Sequence, residues 1–381
     1  MFHLFTAFAT LSAATQRKIF IDRSYFVIYP NLYIVIVSPP GKCRKSTAMG
    51  YGAGILNKVP GINIESNKIS SPQMLVNSLS KSPINLQKPN PGQSNLTLST
   101  TCTAALWSSE LSVFLGSDAH QNGMLSLLTD LFDCPDKWTY SSLSRGKDVL
   151  HNVYLTLYAA TTPEWLTNSI PADAIGGGLT SRIIFVSQKK PRPRNAWPKL
   201  TPQLLQLKDD LIHDLIEIST LAGAVSLTSE AEEFYTDWYN AQDYVEQDER
   251  FWGYYERKPI HLLKLATLIS VAMGNSLTIK VAYLEMALEI LARTERRLPE
   301  AFIGAGTPVS RTVERILIQI KESPQGVISE KNLYQLNFRH MSQMEITEAL
   351  QKLEKAGLIN QVIVAGQKNF SVTKKLLPGG T

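Results

Sequence analysis

One stretch constrains this chain more than any other. Residues 33–50 read YIVIVSPPGKCRKSTAMG. Ile34 to Val37 is a short β-branched run bounded by turn residues, the pattern of a strand buried on both faces. Pro39, Pro40 and Gly41 end it. Lys45, Ser46 and Thr47 then open a segment that reads as a helix, although Gly50, Gly52 and Gly54 weaken it. A strand, a tight loop and a helix N-terminus together make an anion site, because the first N–H groups of a helix lack partners within it.

The loop departs from the usual phosphate-binding pattern, G-x-x-x-x-G-K-[ST]. Lys45 and Ser46 fill its last two positions. Pro39 stands at the first glycine and Arg44 at the second. Gly41 supplies one flexible residue inside the loop. Pro40, Gly41, Lys42, Cys43, Arg44, Lys45, Ser46 and Thr47 are the candidate nucleotide-binding residues. Lys45 is expected to meet the phosphates, and the Ser46 hydroxyl to bind Mg²⁺.

Further strands place further chemistry. TAALWSSELSVFLG reads as a strand, a short turn and then a helix or loop. It leaves Glu110 just past a strand end, 65 positions after Lys45. A carboxylate there polarises an attacking water or holds Mg²⁺ through water. The usual Asp before it is Ser109. NVYLTLYAATTPEWL is a second strand, ending at Thr161 and Thr162, where a polar sensor would touch the terminal phosphate. RIIFVSQ is a third strand, preceded by Arg182. An arginine delivered across a subunit interface stabilises a phosphoryl-transfer transition state. Strands alternating with helices argue for an α/β sheet with crossovers.

Residues 82–100, rich in Pro, Asn and Ser, read as a surface loop. Residues 188–198, QKKPRPRNAWP, read as a basic linker. From 201 to 300 the pattern is helical, and Arg257, Lys258 and Lys264 lie within it. GAGTP at 304–308 marks another boundary. Beyond it come three helices and a β-hairpin with Gly366 at its turn, the order of a winged helix. Gly357 caps the third helix. Residues 301–381 hold ten Lys and Arg against six Asp and Glu, an excess suited to phosphate contacts. The acidic start of the third helix suits a protein partner instead. The expected domains are thus 1–200, 201–304 and 305–381.

The N-terminal residues MFHLFTAFATLSAATQRK read as an amphipathic helix packed on the protein. They have no basic region ahead of the apolar stretch, as a signal peptide would, and are too short and polar to span a bilayer. Three sparse cysteines, Cys43, Cys102 and Cys134, suit reduced thiols. The formal net charge of +5 permits an anionic partner without requiring one.

The segments IYPNLYIVIVSPPGKCRKST, SSELSVFLG, LFDCPDKWTY, HNVYLTLYAATTPEWL, GGGLTSRIIFV and RKPIHLLKLA carry a resemblance over roughly residues 1–300. In this order they resemble a phage and plasmid family of P-loop ATPases related to replicative helicases and primase-helicases. The Arg-Lys-Ser loop is a variant associated with that family. The resemblance implies an α/β P-loop NTPase core of RecA or AAA+ type, with ATP and Mg²⁺ as cofactors. It puts the family's loop lysine and hydroxyl on Lys45 and Ser46, and its strand-end acid on Glu110. Its sensor falls on Thr161 or Thr162, and its arginine on Arg182. Relatives often carry a primase or regulatory segment upstream; this chain is expected to have none.

Two functions follow as expectations. One is a ring-forming, hexameric DNA helicase acting on single-stranded DNA in the cytoplasm, the host's if the chain is phage-encoded. The other is an ATP-binding replication initiator or helicase loader with little turnover, which the absent Asp favours. A regulator using the winged helix alone is a third reading.

Overall fold

The computed structural model describes all residues except 42, 66–68, 70, 82, 89–96, 116–122, 143–145, 170–176, 189–196, 198, 244–247, 303–307, 340, 365 and 374–381. The chain divides into two compact units. The first is Met1–Trp165 with Asp173–Ala301; the second is Leu166–Ala172 with Phe302–Thr381.

The first unit begins with α1 (Phe2–Thr15), then β1 (Ile19–Asp22), β2 (Val27–Ile28) and β3 (Tyr33–Val37). Next come α2 (Lys45–Leu56), β4 (Ile64–Glu65), α3 (Pro72–Lys81), β5 (Pro83–Lys88) and β6 (Thr97–Ser108). They are followed by α4 (Leu111–Leu115), α5 (Met124–Phe132), β7 (Lys137–Ser142), β8 (Gly146–His151), β9 (Tyr154–Thr161), α6 (Pro163–Ser169), whose residues from Leu166 on belong to the second unit, and β10 (Ile183–Ser187). Five strands form a parallel sheet in the order β10-β3-β9-β6-β4. The three strands expected around the loop are all present. Every residue of β3 and β9 is buried, as a two-faced parallel sheet requires.

Residues 82–100 differ from the expected loop. Pro83–Lys88 pairs antiparallel with Thr97–Cys102. Pro83 takes the first strand position, the one a proline tolerates best. The turn, 89–96, lies outside the described residues. The β7–β8 hairpin was not foreseen either.

The sheet alternates its side chains between two helical layers. Ile34, Ile36, Tyr158, Ala160, Ala105 and Trp107 join Phe5, Phe8 and Met49 of α1 and α2 in one core. On the other face the Tyr33 hydroxyl donates to the Leu128 carbonyl of α5 (3.0 Å) and its ring meets Phe132 edge-on.

Helix α1 packs as expected, but it is not amphipathic. Only His3, Leu4 and Ala7 of it are exposed. Its hydroxyls, which read as polar interruptions, are buried and bonded. Thr6 and Thr10 donate to the carbonyls one turn back (2.9 and 2.7 Å). Thr6 also meets Tyr158 (2.7 Å), Ser12 meets Thr156 (2.8 Å) and Thr15 meets Tyr154 (3.2 Å). These bonds let a Thr- and Ser-bearing helix lie inside the core.

After the sheet come α7 (Pro202–Thr220), β11 (Gly223–Ala224), β12 (Ser226–Leu227), α8 (Ser229–Asn240), α9 (Trp252–Gly274), β13 (Thr278–Ile279), α10 (Val281–Glu295) and α11 (Leu298–Ala301). The region is helical as read, with three short strands added. β11 pairs with β1, and β12 with β13. Leu215, Leu262, Leu265, Leu284 and Leu291 belong to the same core as the sheet.

The second unit holds α12 (Pro308–Glu322), β14 (Val327–Ser329), α13 (Glu330–Asn337), α14 (Gln343–Lys355), β15 (Ile359–Val364) and β16 (Gln367–Val372). Ile316, Ile320, Leu333, Ile346, Leu350 and Phe370 form its core. The three helices and the hairpin match the sequence reading. β14, too short to show as a pattern, adds a third antiparallel strand beside β16. Ser342 and Glu345 cap α14 reciprocally. Gly357 ends it at φ 68°.

Candidate nucleotide site

β3 ends at Val37, and the Ser38 N–H donates to the Thr161 carbonyl of β9 (3.3 Å). The chain then turns through Pro39, Pro40 and Gly41, where φ is 71°. Lys42 lies outside the described residues. The Cys43 thiol donates to the Gln188 carbonyl (3.3 Å), tying the loop to the end of β10. Arg44 is the residue that departs from the pattern, and its backbone sits at φ 52°, ψ 44°. This left-handed conformation is the one a glycine adopts freely and an arginine holds at about 1–2 kcal/mol. Arg44 thus puts a charged side chain on a backbone conformation that glycine favours.

α2 starts at Lys45. No side chain caps its N-terminus, and its first turn has no acidic residue. The N–H groups of Lys45, Ser46 and Thr47 therefore have no partner within the helix, and the helix dipole adds positive potential there. Ser46 and Thr47 are exposed beside them. The Lys45 ammonium donates to the Ser38 carbonyl and to the Thr161 carbonyl, the latter at 2.7 Å. Burial lowers its pKa, while Glu110, Cys43 and Glu164 act to raise it. The ammonium is half-buried and held by neutral oxygens, which an anionic oxygen outcompetes.

Strand register sets what surrounds it. Val37 pairs with Thr161, and Ser108 of β6 pairs with Ala159. Glu110 follows two residues past Ser108, so it stands level with Thr161. The Ser108 hydroxyl donates to the Glu110 carbonyl (2.8 Å), and Ser112 donates to its carboxylate (3.3 Å). The carboxylate itself is exposed. Thr161 is buried and contributes its carbonyl. The Thr162 hydroxyl accepts from the Trp165 N–H (3.3 Å) and so caps α6.

Glu164, in the first turn of α6, was missed by the sequence reading. Its charge acts on Lys45 beside that of Glu110. The signal was there: Thr-Pro-Glu is a cap, a first-turn proline and a first-turn acid.

Arg182 is elsewhere. Ile183 pairs with Tyr33 and Ser187 with Val37, so Arg182 lies at the opposite edge of the sheet. The strand between them spans roughly 16 Å at ~3.3 Å per residue. Arg182 donates to the Asp133 carboxylate and the Gly178 carbonyl, both at 2.8 Å. Its side chain is 10% exposed. Arg257 stands 3.8 Å from the other Asp133 oxygen. Lys258 pairs with Glu295 (2.8 Å). Lys264 is buried against Asn31. The structure therefore brings Lys45, Ser46, Thr47, Glu110, Thr161 and Thr162 to one edge, and Arg182 to the other.

Among the described residues no cluster of three His, Cys, Asp or Glu suits a bound metal. Mg²⁺ needs no such cage, since it keeps waters and takes phosphate oxygens beside one or two protein oxygens. The Ser46 hydroxyl and the exposed Glu110 carboxylate fit that demand. The three cysteines are free thiols. Among the described residues no helix is long and apolar enough to cross a membrane. No family model and no curated protein matches the chain.

Proposed function

We propose that the chain is an ATP-dependent DNA-replication ATPase of P-loop type, a ring-forming helicase of the phage and plasmid kind it resembles. The observation that carries this reading is the left-handed backbone at Arg44 leading into Lys45 and an uncapped helix. A loop decayed by drift has no reason to keep an arginine in a glycine's conformation.

In this reading Lys45 and the first N–H groups of α2 hold the phosphates. Ser46 holds Mg²⁺, with Glu110 reached through water. When bound, Mg²⁺ neutralises charge on the phosphates. Glu110 orients the attacking water and takes its proton. Thr162, next to the carbonyl that grips Lys45, senses the terminal phosphate. Arg182 serves a neighbouring subunit once freed from Asp133; an arginine so far from its own chain's Lys45 has no cis role. The second unit is read as a winged helix that contacts single-stranded DNA, and the assembly as a hexamer in the cytoplasm.

A second reading, an initiator or helicase loader with slow turnover, rests on Ser109 in the usual Asp position and on the Arg182–Asp133 pair. ATP hydrolysis with and without single-stranded DNA separates the two. Strong stimulation, lost in Lys45→Ala, marks the motor. Tight binding with negligible turnover marks the loader. Glu110→Gln is expected to keep ATP affinity and lose hydrolysis about a hundredfold or more; full turnover would place water activation elsewhere, with Glu164 the next residue to replace.

A further inference from the structure

The sheet edge away from Lys45 carries a cavity of about 190 Å³ that the proposed reaction does not use. Phe26, Tyr29 and Phe132 give it ring walls, and Lys264, Asn31 and Asp133 its polar groups. Lys264 is 3% exposed. Its ammonium donates to the Asn31 carbonyl (3.0 Å) and side-chain oxygen (2.6 Å) and lies 3.9 Å from the centre of the Phe132 ring. Two of its three donors are thus assigned. The Asp133 side chain lines the cavity and is 55% exposed; its oxygens stand 2.8 Å from Arg182 and 3.8 Å from Arg257, and each carboxylate oxygen keeps a further lone pair for a ligand donor.

Size and chemistry together narrow the ligand. An apolar cavity of ~150 Å³ holds a benzene-sized ring, so this one holds a single six-membered ring with substituents. A donor and a carboxylate acceptor on its wall match a carbonyl next to a ring N–H, a lactam edge. We propose that this cavity binds a pyrimidine nucleobase with a lactam edge, thymine or uracil, stacked on Phe26. The choice of a nucleobase over another lactam rests on the DNA-handling reading above. Tyr25, 99% exposed at the tip of the β1–β2 turn, stands ready to stack on the next base. The base comes from a single strand or from a free nucleoside.

The test is photocrosslinking of the full-length protein to oligo(dT) carrying one 5-iodouracil, with the adduct mapped by peptide mass. An adduct within residues 25–29 or 132–134, reduced about tenfold in Phe26→Ala as loss of one stacking contact implies, supports the site. Suppression by free thymidine identifies a nucleoside pocket; persistence against thymidine identifies a strand contact. Lys264→Met is the second variant and is expected to lose the adduct while keeping the folded circular-dichroism spectrum. An absent adduct, or one elsewhere that Phe26→Ala leaves intact, overturns the proposal. So does a Phe26→Ala effect seen only as a change in oligomer mass, which makes the cavity a contact between copies. The adduct should survive Lys45→Ala, so failure here and failure of the ATPase reading are told apart.

Discussion

The two edges of the central sheet hold the same residue types and use them in opposite ways. At the Lys45 edge the charges of the described residues are exposed or half-buried, on a loop and on first helical turns, and carbonyls hold Lys45. At the other edge the cations are enclosed, while the Asp133 carboxylate stays half-exposed. Arg182 is locked to Asp133, Lys264 to Asn31, and the His261 Nε2–H donates to the Ser181 carbonyl (3.1 Å) between the Phe132 and Tyr254 rings. A cation held only by neutral oxygens in reach of solvent is free to change partners. A cation sealed among rings and carbonyls supports the architecture first, and serves a ligand or a neighbour only at a cost to that support. The contrast says that Lys45 should matter to ligand and little to folding, and that the far edge should matter first to folding.

The sharpest break would come from Lys45→Ala. It is expected to weaken ATP binding about a thousandfold, roughly 4 kcal/mol for a charged donor to phosphate in a sheltered site. The melting temperature should scarcely move. Calorimetric titration and thermal denaturation check both halves; unchanged affinity removes the nucleotide site altogether.

Acid should strike the far edge. Burial pushes the His261 pKa down to about 3. The unfolded chain takes up this proton near pH 6.5, whereas the folded chain refuses it until about pH 3. Stability is therefore fully present above pH 6.5 and falls as pH drops, by about 3 kcal/mol at pH 4 at ~1.4 kcal/mol per pH unit. His261→Phe should flatten that limb in urea melts while giving up the bond to Ser181. Lys264, pushed down to about 8 by burial, adds a rise in stability above pH 8. Loss of the limb in Lys45→Ala instead would reverse the contrast between the edges.

Much of the Lys45 edge was legible because its signals are local. Strand, loop and helix start lie within eighteen consecutive residues, and Glu110, Thr161 and Thr162 sit at strand ends that burial patterns reveal. Their alignment was not legible, since it depends on β9 entering between β3 and β6. The far edge was almost silent. Lys264 and His261 look like solvated residues of a helix, and only the packing of α9 against Phe132 and Asn31 shows otherwise. α1 misled for a related reason: hydroxyls bonded to their own helix pass as polar in the sequence and as core in the fold.

Gly52 tests how rigidly the Lys45 edge is mounted. A Cβ there would collide with Thr6 and lie 2.9 Å from Trp107, whereas Gly50 and Gly54 face open space. Gly52→Ala is expected to lower stability by about 2 kcal/mol through overpacking and to loosen ATP binding, because α2 carries Lys45. Gly50→Ala should raise stability by about 1 kcal/mol through helix propensity. Equal effects at the two positions would mean that the contact of α1 with α2 does not position the loop.

The smallest expected effect bears on what the arginine is for. Arg44→Gly relieves a left-handed arginine, and the freer unfolded chain takes back part of that gain. The net should be a rise in stability of about 1 kcal/mol or less. ATP affinity should move the other way, a few-fold weaker, because a cation leaves the loop beside the phosphates. Arg44→Asn sharpens the test, since asparagine tolerates the same backbone without the charge. If both variants gain stability and lose affinity, the strain is retained for the positive charge. If both gain stability and bind ATP as well as before, the arginine is a tolerated substitution, and the loop works through its backbone and Lys45 alone.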